Sequence, residues 1–362
     1  DNQPIQNADL QKLNISVRGL STINGNQDPL IVLDGFIYEG DIANIDPNNI
    51  ESVSILKDAA ASAIWGARAG NGVIVITSKK GAFAAEQKTK ITLANTLIWR
   101  ENSDLTKIYQ LKNNDFIALE KFLFEKGYYD SGLLYQPYNA QTPVVYILDA
   151  RRRNLISSAD SADAIGKLMG QHGKQNYMDA FYNVPFVNQH ALNISGGGIR
   201  NSYGLGIGYT GDRSELDAFN RKVSIQLSNS FRPTEKIQLD LQAIYTNHDQ
   251  RKGKPELSSL GYGSYQPPYV QFLDKNGNEI PFEKEFRRSY LAENYSNGYL
   301  DWDYYPLSEN KYATDVRQLN EWFSSLNLKY KILPFVHLNV GGQIQQQRAE
   351  RNQTVDSAKV CR

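Results

Sequence analysis

The chain has 362 residues, with 39 Lys plus Arg against 39 Asp plus Glu, so its net charge is zero and nothing favours a nucleic-acid partner. Cys361 is the lone cysteine, which excludes an internal disulfide, and no Cys/His cluster supports a zinc site. No apolar run reaches the ~18 residues of a transmembrane helix. Tyrosine is abundant, 22 copies against 14 phenylalanines, and Gly, Asn, Gln and Ser recur between short apolar stretches. Such a make-up suits extended β structure with wet surfaces better than a helical or Rossmann enzyme.

Residue 1 is not a methionine and no signal peptide is visible, so the sequence is expected to begin inside a structured region. Residues 44–81 read as a compact α/β unit. Asp46 and Pro47 are cap and first-turn residues of one helical turn, and Glu51–Leu56 is a strand. Asp58 caps a short helix, Ala59–Trp65, that Gly66 ends, and Asn71-Gly72 turns the chain into a strand at Val73–Thr77.

Seven period-two segments follow. In Thr89–Trp99, Ile91, Leu93, Leu97 and Trp99 share one side with Asn95. In Ser202–Thr210, Tyr203, Leu205, Ile207 and Tyr209 oppose Ser202, Gly204, Gly206, Gly208 and Thr210. Lys222–Phe231 sets Val223, Ile225, Leu227 and Phe231 against Lys222, Ser224, Gln226, Ser228 and Ser230. Ile237–Thr246 sets Ile237, Leu239, Leu241, Ala243 and Tyr245 against Gln238, Asp240, Gln242 and Thr246. Trp322–Ile332 and Val336–Ile344 repeat the pattern, and Val187–Ser195 is weaker.

A half-buried strand of this kind belongs to a soluble sandwich or to a membrane barrel with lipid outside and water within. Strands of about ten residues with aromatics near their ends favour the membrane. Connector lengths agree. Gly196–Asn201, Arg232–Lys236 and Leu333-Pro334 are short turns on one face; Arg100–Phe186, Gly211–Arg221 and Asn247–Asn320 lie on the other. Seven strands cannot close a barrel, and an open array would expose two edges to lipid. The expectation is therefore part of a longer polypeptide, lacking some of its N-terminal unit and most of its barrel.

The residues that carry a family resemblance are SVRGLSTINGNQDPLIVLDG (16–35), IDPNNIESVSILKDAAASAIWGARAGNGVIVITSKKG (45–81), DFIALEKFLFEKGYYD (115–130) and VPFVNQHALNISGGGIRNSYGLGIGYTGD (184–212). They resemble the SusC/RagA group of TonB-dependent outer-membrane importers over nearly the whole chain. Leu33, Trp65 and Gly70 depart from the usual isoleucine, tyrosine and alanine. The resemblance implies a membrane β-barrel of roughly 22 strands with an α/β plug inside. It also implies a SusD-like lipoprotein lid, energy from an inner-membrane TonB complex, and oligosaccharide or peptide cargo. Residues 1–84 are then the plug, N-terminally incomplete. Residues 85–362 are the first part of the barrel, with long extracellular loops at 100–186 and 247–320. The TonB-contacting segment is expected upstream of residue 1.

By likeness to siderophore receptors, the outward plug loops are Ser21–Asp28 and Tyr38–Asp41, and Asn24, Asn26, Gln27, Asp28, Tyr38 and Glu39 are the expected ligand-facing residues. Arg18 and Arg68 are expected to latch the plug to wall carboxylates. Tyr262, Tyr265, Tyr269, Tyr299, Trp302, Tyr304 and Tyr305 are expected to contact the lid or another partner.

No constellation supports catalysis. Gly66, Gly70 and Gly72 lack the Gly-Lys-Ser/Thr of a phosphate loop. Asp34 has no second carboxylate and reads as a turn residue before Gly35. His172, His190, His248 and His337 are scattered. Asp274–Glu279 has its glycine at the wrong position for an EF-hand and reads as a hairpin. Phe116, Leu119, Phe122 and Leu123 give a helix over 115–126 one apolar face, capped by Asn114 or Asp115 and folded onto its own loop. No cofactor is expected. A soluble glycan-binding β protein and a glycosidase remain the alternatives from other classes.

Overall fold

The structure is a computed structural model that describes residues 28–57, 63–84, 87–263, 265–295 and 302–355. Its first unit is a four-stranded sheet of order β2-β1-β4-β3, with β1 at Leu30–Leu33, β2 at Phe36–Tyr38, β3 at Ile50–Leu56 and β4 at Val73–Ser78. Asp34 and Gly35, at φ 51° and 93°, make the tight hairpin between β1 and β2, a turn that needs two positive φ values. β1 then lies parallel to β4, Leu30 beside Val73 and Leu33 beside Ile76. Val32, Leu33, Val73 and Ile76 are fully buried and form the dry centre of this unit. Asp46 accepts a hydrogen bond from the Asn48 backbone N–H and Pro47 starts the turn, as its sequence implies. Of the expected helix Ala59–Trp65, residues 59–62 and the Asp58 cap lie outside the described residues; Ala63–Ala69 forms 3-10 turns broken at Gly66 (φ 69°).

The second unit is a seven-stranded antiparallel sheet in strict chain order: β5 Gln87–Trp99, β6 Phe186–Gly197, β7 Asn201–Arg213, β8 Phe219–Thr234, β9 Ile237–Arg251, β10 Ala313–Leu333 and β11 Val336–Val355. All seven expected strands are present, and most are longer than their periodic cores. The reason is visible in β11: beyond Ile344 both faces are polar, so strand pairing continues where the alternation stops. The same extension shrinks the connector expected at Gly211–Arg221 to residues 214–218.

Burial in this sheet is inverted relative to a soluble sandwich. Leu93, Trp99, Leu227, Leu241, Trp322, Leu326 and Ile344 are exposed, while Ser202, Ser224, Gln242, Thr246 and Glu321 are at most 3% exposed. The first unit sits on the polar face, and the apolar face is left for lipid. Aromatic pairs mark the upper edge of that face, Trp99 with Phe186 and Tyr245 with Trp322. The row across the strands through Trp99 meets β10 at Val316, six residues before Trp322. Six residues of about 3.3 Å against five strand spacings of about 4.8 Å give a tilt near 40°, the value expected of an outer-membrane barrel. From Trp322 to Ile332 β10 rises about 33 Å, or about 25 Å along the normal at that tilt.

The short turns all lie at one end of the sheet, where the chain also leaves the first unit; Ala84 N–H donates to Gly198 O there. At the other end, residues 100–185 carry five helices: α1 Asn113–Glu125, α2 Asp130–Tyr135, α3 Pro143–Arg152, α4 Ser158–Met169 and α5 Gly173–Phe181. They do not fold on themselves alone. Tyr177 and Phe181 of α5 pack with Phe272, Phe282 and Tyr304 of the second long loop, and Ile117 of α1 packs with Tyr269. The expected α1 face is corrected. Leu119 and Phe122 are exposed, Ile117 and Glu120 are buried, and Lys112 precedes the helix without a side-chain cap bond. Glu120 hid the stripe by placing a carboxylate in its middle. That carboxylate accepts hydrogen bonds from Thr142 Oγ1 (2.5 Å) and Tyr269 Oη (2.7 Å), joining both loops. Asp274–Glu279 is the hairpin expected, its Asp274 carboxylate holding the Asn276 and Asn278 N–H groups.

Three outcomes follow from this packing. Leu241 lies opposite Leu326, near mid-height of the lipid-facing band, so Leu241→Arg should destabilise the membrane-inserted protein by about 2–4 kcal/mol in urea titrations. Burial raises the Glu120 carboxyl above its ordinary value. The folded cap therefore holds this proton more tightly than the unfolded chain, and the associated stability is present at low pH and lost as pH rises through the folded value. Glu120→Gln should slow hydrogen exchange in α1 at about pH 8, and its advantage over wild type should shrink toward about pH 5. Glu120→Ala, which strands two hydroxyls, should cost about 1–3 kcal/mol.

Candidate functional site

The interface between the inner unit and its wall begins with missing side chains. Gly204, Gly206 and Gly208 of β7 all point inward, and a Cβ on Gly208 would overlap the Asp46 carboxylate while one on Gly206 would overlap the Asn49 amide. The glycine ladder thins the wall where the Asp46–Asn49 turn leans on it. Gly341 of β11 makes room for Phe36 in the same way.

Around these glycines the contacts are mostly polar and come from alternate residues of the wall. Ser224 Oγ donates to Asp46 Oδ2 (2.9 Å), Lys222 Nζ to Ala43 O (2.7 Å) and Thr246 Oγ1 to Asn44 O (3.3 Å). Asn44 Nδ2 donates to Glu321 Oε2 at 2.6 Å, and Gln345 and Gln347 of β11 hold the same carboxylate at 2.9 and 3.1 Å. Gln343 Nε2 donates to Ile37 O, and the Glu39 N–H to Gln345 Oε1. β2 thus climbs the wall in step with β11. One apolar patch interrupts the pattern: Ile244 and Phe323 face inward and pack on Tyr38 and Ile45. Asp34 is held at the base by Ser78 Oγ (2.5 Å) and Lys80 Nζ (3.1 Å).

Several expected site residues are placed differently. Among the described residues Arg68 pairs with the plug and not the wall; it forms a two-pronged ion pair with Glu39, at 2.7 and 2.8 Å, because the 3-10 turns carry it to the end of β2. The Arg68 guanidinium accordingly holds the Glu39 carboxyl below its usual range. Tyr38 is buried. Its ring lies edge-on against Phe323, 5.9 Å between centroids, and its hydroxyl donates to Asp41 O. Glu39 remains exposed at the apex, and Asp28 is half-buried with its carbonyl accepting from Asn71. Arg18, Asn24, Asn26, Gln27 and Tyr299 lie outside the described residues.

The aromatic loop residues are also reassigned. Tyr269 and Tyr304 are buried in the cap. Tyr262 packs on Phe282, Tyr265 against Tyr129, and Trp302 against Phe286. Tyr305 is half-buried. Aromatic content alone does not distinguish a loop's core from its surface. The most exposed rings are in the first long loop, at Tyr109, Phe122, Tyr128 and Tyr135, while the second exposes Tyr290. Above the inner unit, on the inward side of β10 and β11, is a cleft of about 880 Å³ lined by Lys252, Lys254, Lys284, Tyr304, Glu309 and Asp315.

Glu321 and Asn44 were not singled out by sequence, and Asp46 only as a cap, though parity alone puts Glu321 inward between Leu319 and Phe323, where a carboxylate needs partners. The glycine ladder makes a direct test. Gly208→Val pushes a branched side chain into Asp46, an overpacking of about 1–3 kcal/mol. The variant should show protease cleavage within residues 39–49 and raised ion conductance in planar bilayers, while Gly342→Ala, with open space around its Cβ, should show neither.

Residues 5–73 match the TonB-dependent Receptor Plug Domain family. The chain is 24% identical over 355 residues to the TonB-dependent receptor SusC of Bacteroides thetaiotaomicron, covering 91% of this chain and 30% of that protein. A TonB-dependent receptor of Formosa agariphila is 27% identical over 294 residues, covering 77% of this chain and 23% of that protein. Among solved structures, the RagAB peptide transporter superposes with a TM-score of 0.64 at 19% identity, covering 93% of this chain and 37% of that one. The chain thus spans 23–37% of the length of these proteins.

Proposed function

Given that this chain is a SusC/RagA-type TonB-dependent receptor of the bacterial outer membrane, a plug and part of its β-barrel, we propose that it works in gated import of oligosaccharides or peptides. In this reading residues 1–84 are the plug, and residues 85–362 are barrel wall with extracellular loops at 100–186 and 247–320. A SusD-like lipoprotein is the lid and a TonB complex supplies the pull.

One observation carries the proposal: the plug is dry inside and wet against its wall. Val32, Val73 and Ile76 give it a sealed centre, whereas its wall contacts are largely single hydrogen bonds to Lys222, Ser224, Thr246, Gln343 and Glu321. Such a bond is worth about 0.5–1.5 kcal/mol net between neutral groups and about 1.5–3 kcal/mol where one partner is charged, because water competes for both groups once they part. A contact of this kind can be broken and remade while the plug keeps its own core. The cleft of about 880 Å³ above it is within the usual range for small-ligand sites, about 300–1,000 Å³. Its mixed lysines and carboxylates do not choose between sugar and peptide, and the likeness to a peptide transporter keeps both classes in play.

Uptake measurements test this. Cells that carry the receptor should accumulate fluorescent oligosaccharide or peptide cargo, and should lose that uptake when either the receptor or the TonB energy supply is removed. Cargo binding without any TonB-dependent accumulation would replace import with the non-transporting glycan-binding alternative.

A further inference from the structure

Among the described polar groups of the plug, Glu39 and Arg68 form an ion pair with side chains 55% and 56% exposed. They connect inward through the half-buried Gln345 to the buried Glu321 and Asn44. The Glu39 backbone N–H donates to Gln345 Oε1 (3.0 Å), Gln345 Nε2 donates to Glu321 Oε1 (2.9 Å), and Glu321 Oε2 accepts from Asn44 Nδ2 (2.6 Å). The next residue tightens the link. A Cβ on Gly40 would strike both Tyr38 Oη and Glu321 Oε1, so the backbone at 38–40 rests on the wall carboxylate itself.

We infer that the Glu39–Arg68 pair is an occupancy sensor for cargo that bears a carboxylate, and that its opening is relayed through Gln345 to the Glu321–Asn44 latch. This rests on the import reading above. An ion pair exposed on both sides contributes little to stability, so a second carboxylate can take the guanidinium at small cost. Arginine offers a planar fork that fits any carboxylate in the same two-pronged way. Once displaced, the Glu39 side chain no longer fixes its own peptide group, and the N–H bond to Gln345 loosens. Gln345 then holds Glu321 less firmly, and the segment from Asp41 to Asp46 is freed from the wall. Cargo affects the gate here only because it binds the open arrangement better than the paired one. A peptide C-terminus and an acidic sugar present the same group, and both would engage.

The test uses the receptor in detergent micelles and follows hydrogen exchange of residues 37–45. Two probe pairs separate the sources: a pentapeptide free acid against its C-terminal amide, and an oligogalacturonate against its methyl ester. The free acid, the oligogalacturonate, or both should speed exchange at the Glu39 amide at least fivefold, and the amide and ester should not. Arg68→Gln, a substitution on an exposed side chain, should abolish the response, and Glu321→Gln should show fast exchange with no probe present. Equal responses to charged and neutral probes, or an undiminished response in Arg68→Gln, overturns the sensor. If uptake in cells persists in that event, the import reading stands without it. If wild type accumulates no cargo, import itself is rejected, and the relay with it.

Discussion

Every strand of the large sheet has to satisfy two solvents at once. Its backbone groups are paired with neighbours, so what remains is the alternation of side chains, and that alternation sends Leu227, Leu241 and Leu326 one way and Ser228, Gln242 and Ser325 the other. In water this would be a poor arrangement, with leucines exposed and glutamine and serine buried. In a bilayer it is the low-energy one, because lipid takes the apolar face and the polar face needs hydrogen-bonding partners. The plug supplies those partners. Position of the plug, exposure of the leucines and length of the apolar band are three consequences of one sorting rule, and the tilt near 40° read from the two aromatic pairs agrees with it independently.

The same rule explains the character of the plug–wall contact. A lumen face must be compatible with water, so it presents serine, glutamine, threonine and lysine, and whatever rests on it must bond through those groups. Ile244 and Phe323 are the local exception. They sit side by side on β9 and β10 and receive Tyr38 and Ile45, which gives the plug one greasy foothold amid replaceable polar contacts. The foothold fixes register, and in the import proposal the polar contacts are the ones that release.

Much of this was legible in sequence because lipid leaves a periodic mark. The seven strands, their order and the segregation of short and long connections follow from that mark and from turn residues. The strand ends were not legible. Past Ile344 the sequence reads Gln-Gln-Gln-Arg, and a strand with water on both sides has no alternation to detect. Arg68 was expected to reach the wall, but its partner depended on a 3-10 stretch that propensity does not foresee. Tyr269 and Tyr304 were expected at a surface because aromatic loop residues carry no period; their burial is set by α1 and α5, more than a hundred residues earlier. Glu120 shows the converse, a charge that belongs to a core because Thr142 and Tyr269 converge on it.

The cap bears on where motion can occur in the proposed cycle. Its two long loops leave the sheet at β5/β6 and β9/β10, and the five-residue connector 214–218 lies between them. That connector ties both: Asn183 N–H donates to Glu215 O, Ser103 N–H to Glu215 Oε2, and Lys254 N–H to Leu216 O. Gly253 lies against the backbone of Leu216 and Ala218 so closely that no side chain fits. Above this hub Tyr177, Phe181 and Phe272 interlock with centroids 4.4–5.9 Å apart. A cap with a dry aromatic centre and backbone bonds at its root deforms only by losing core contacts, each far more costly than a wet hydrogen bond. The plug has the cheaper contacts. Under the import proposal, gating on this side of the barrel therefore falls to the plug against its wall, with the cap as a fixed rim.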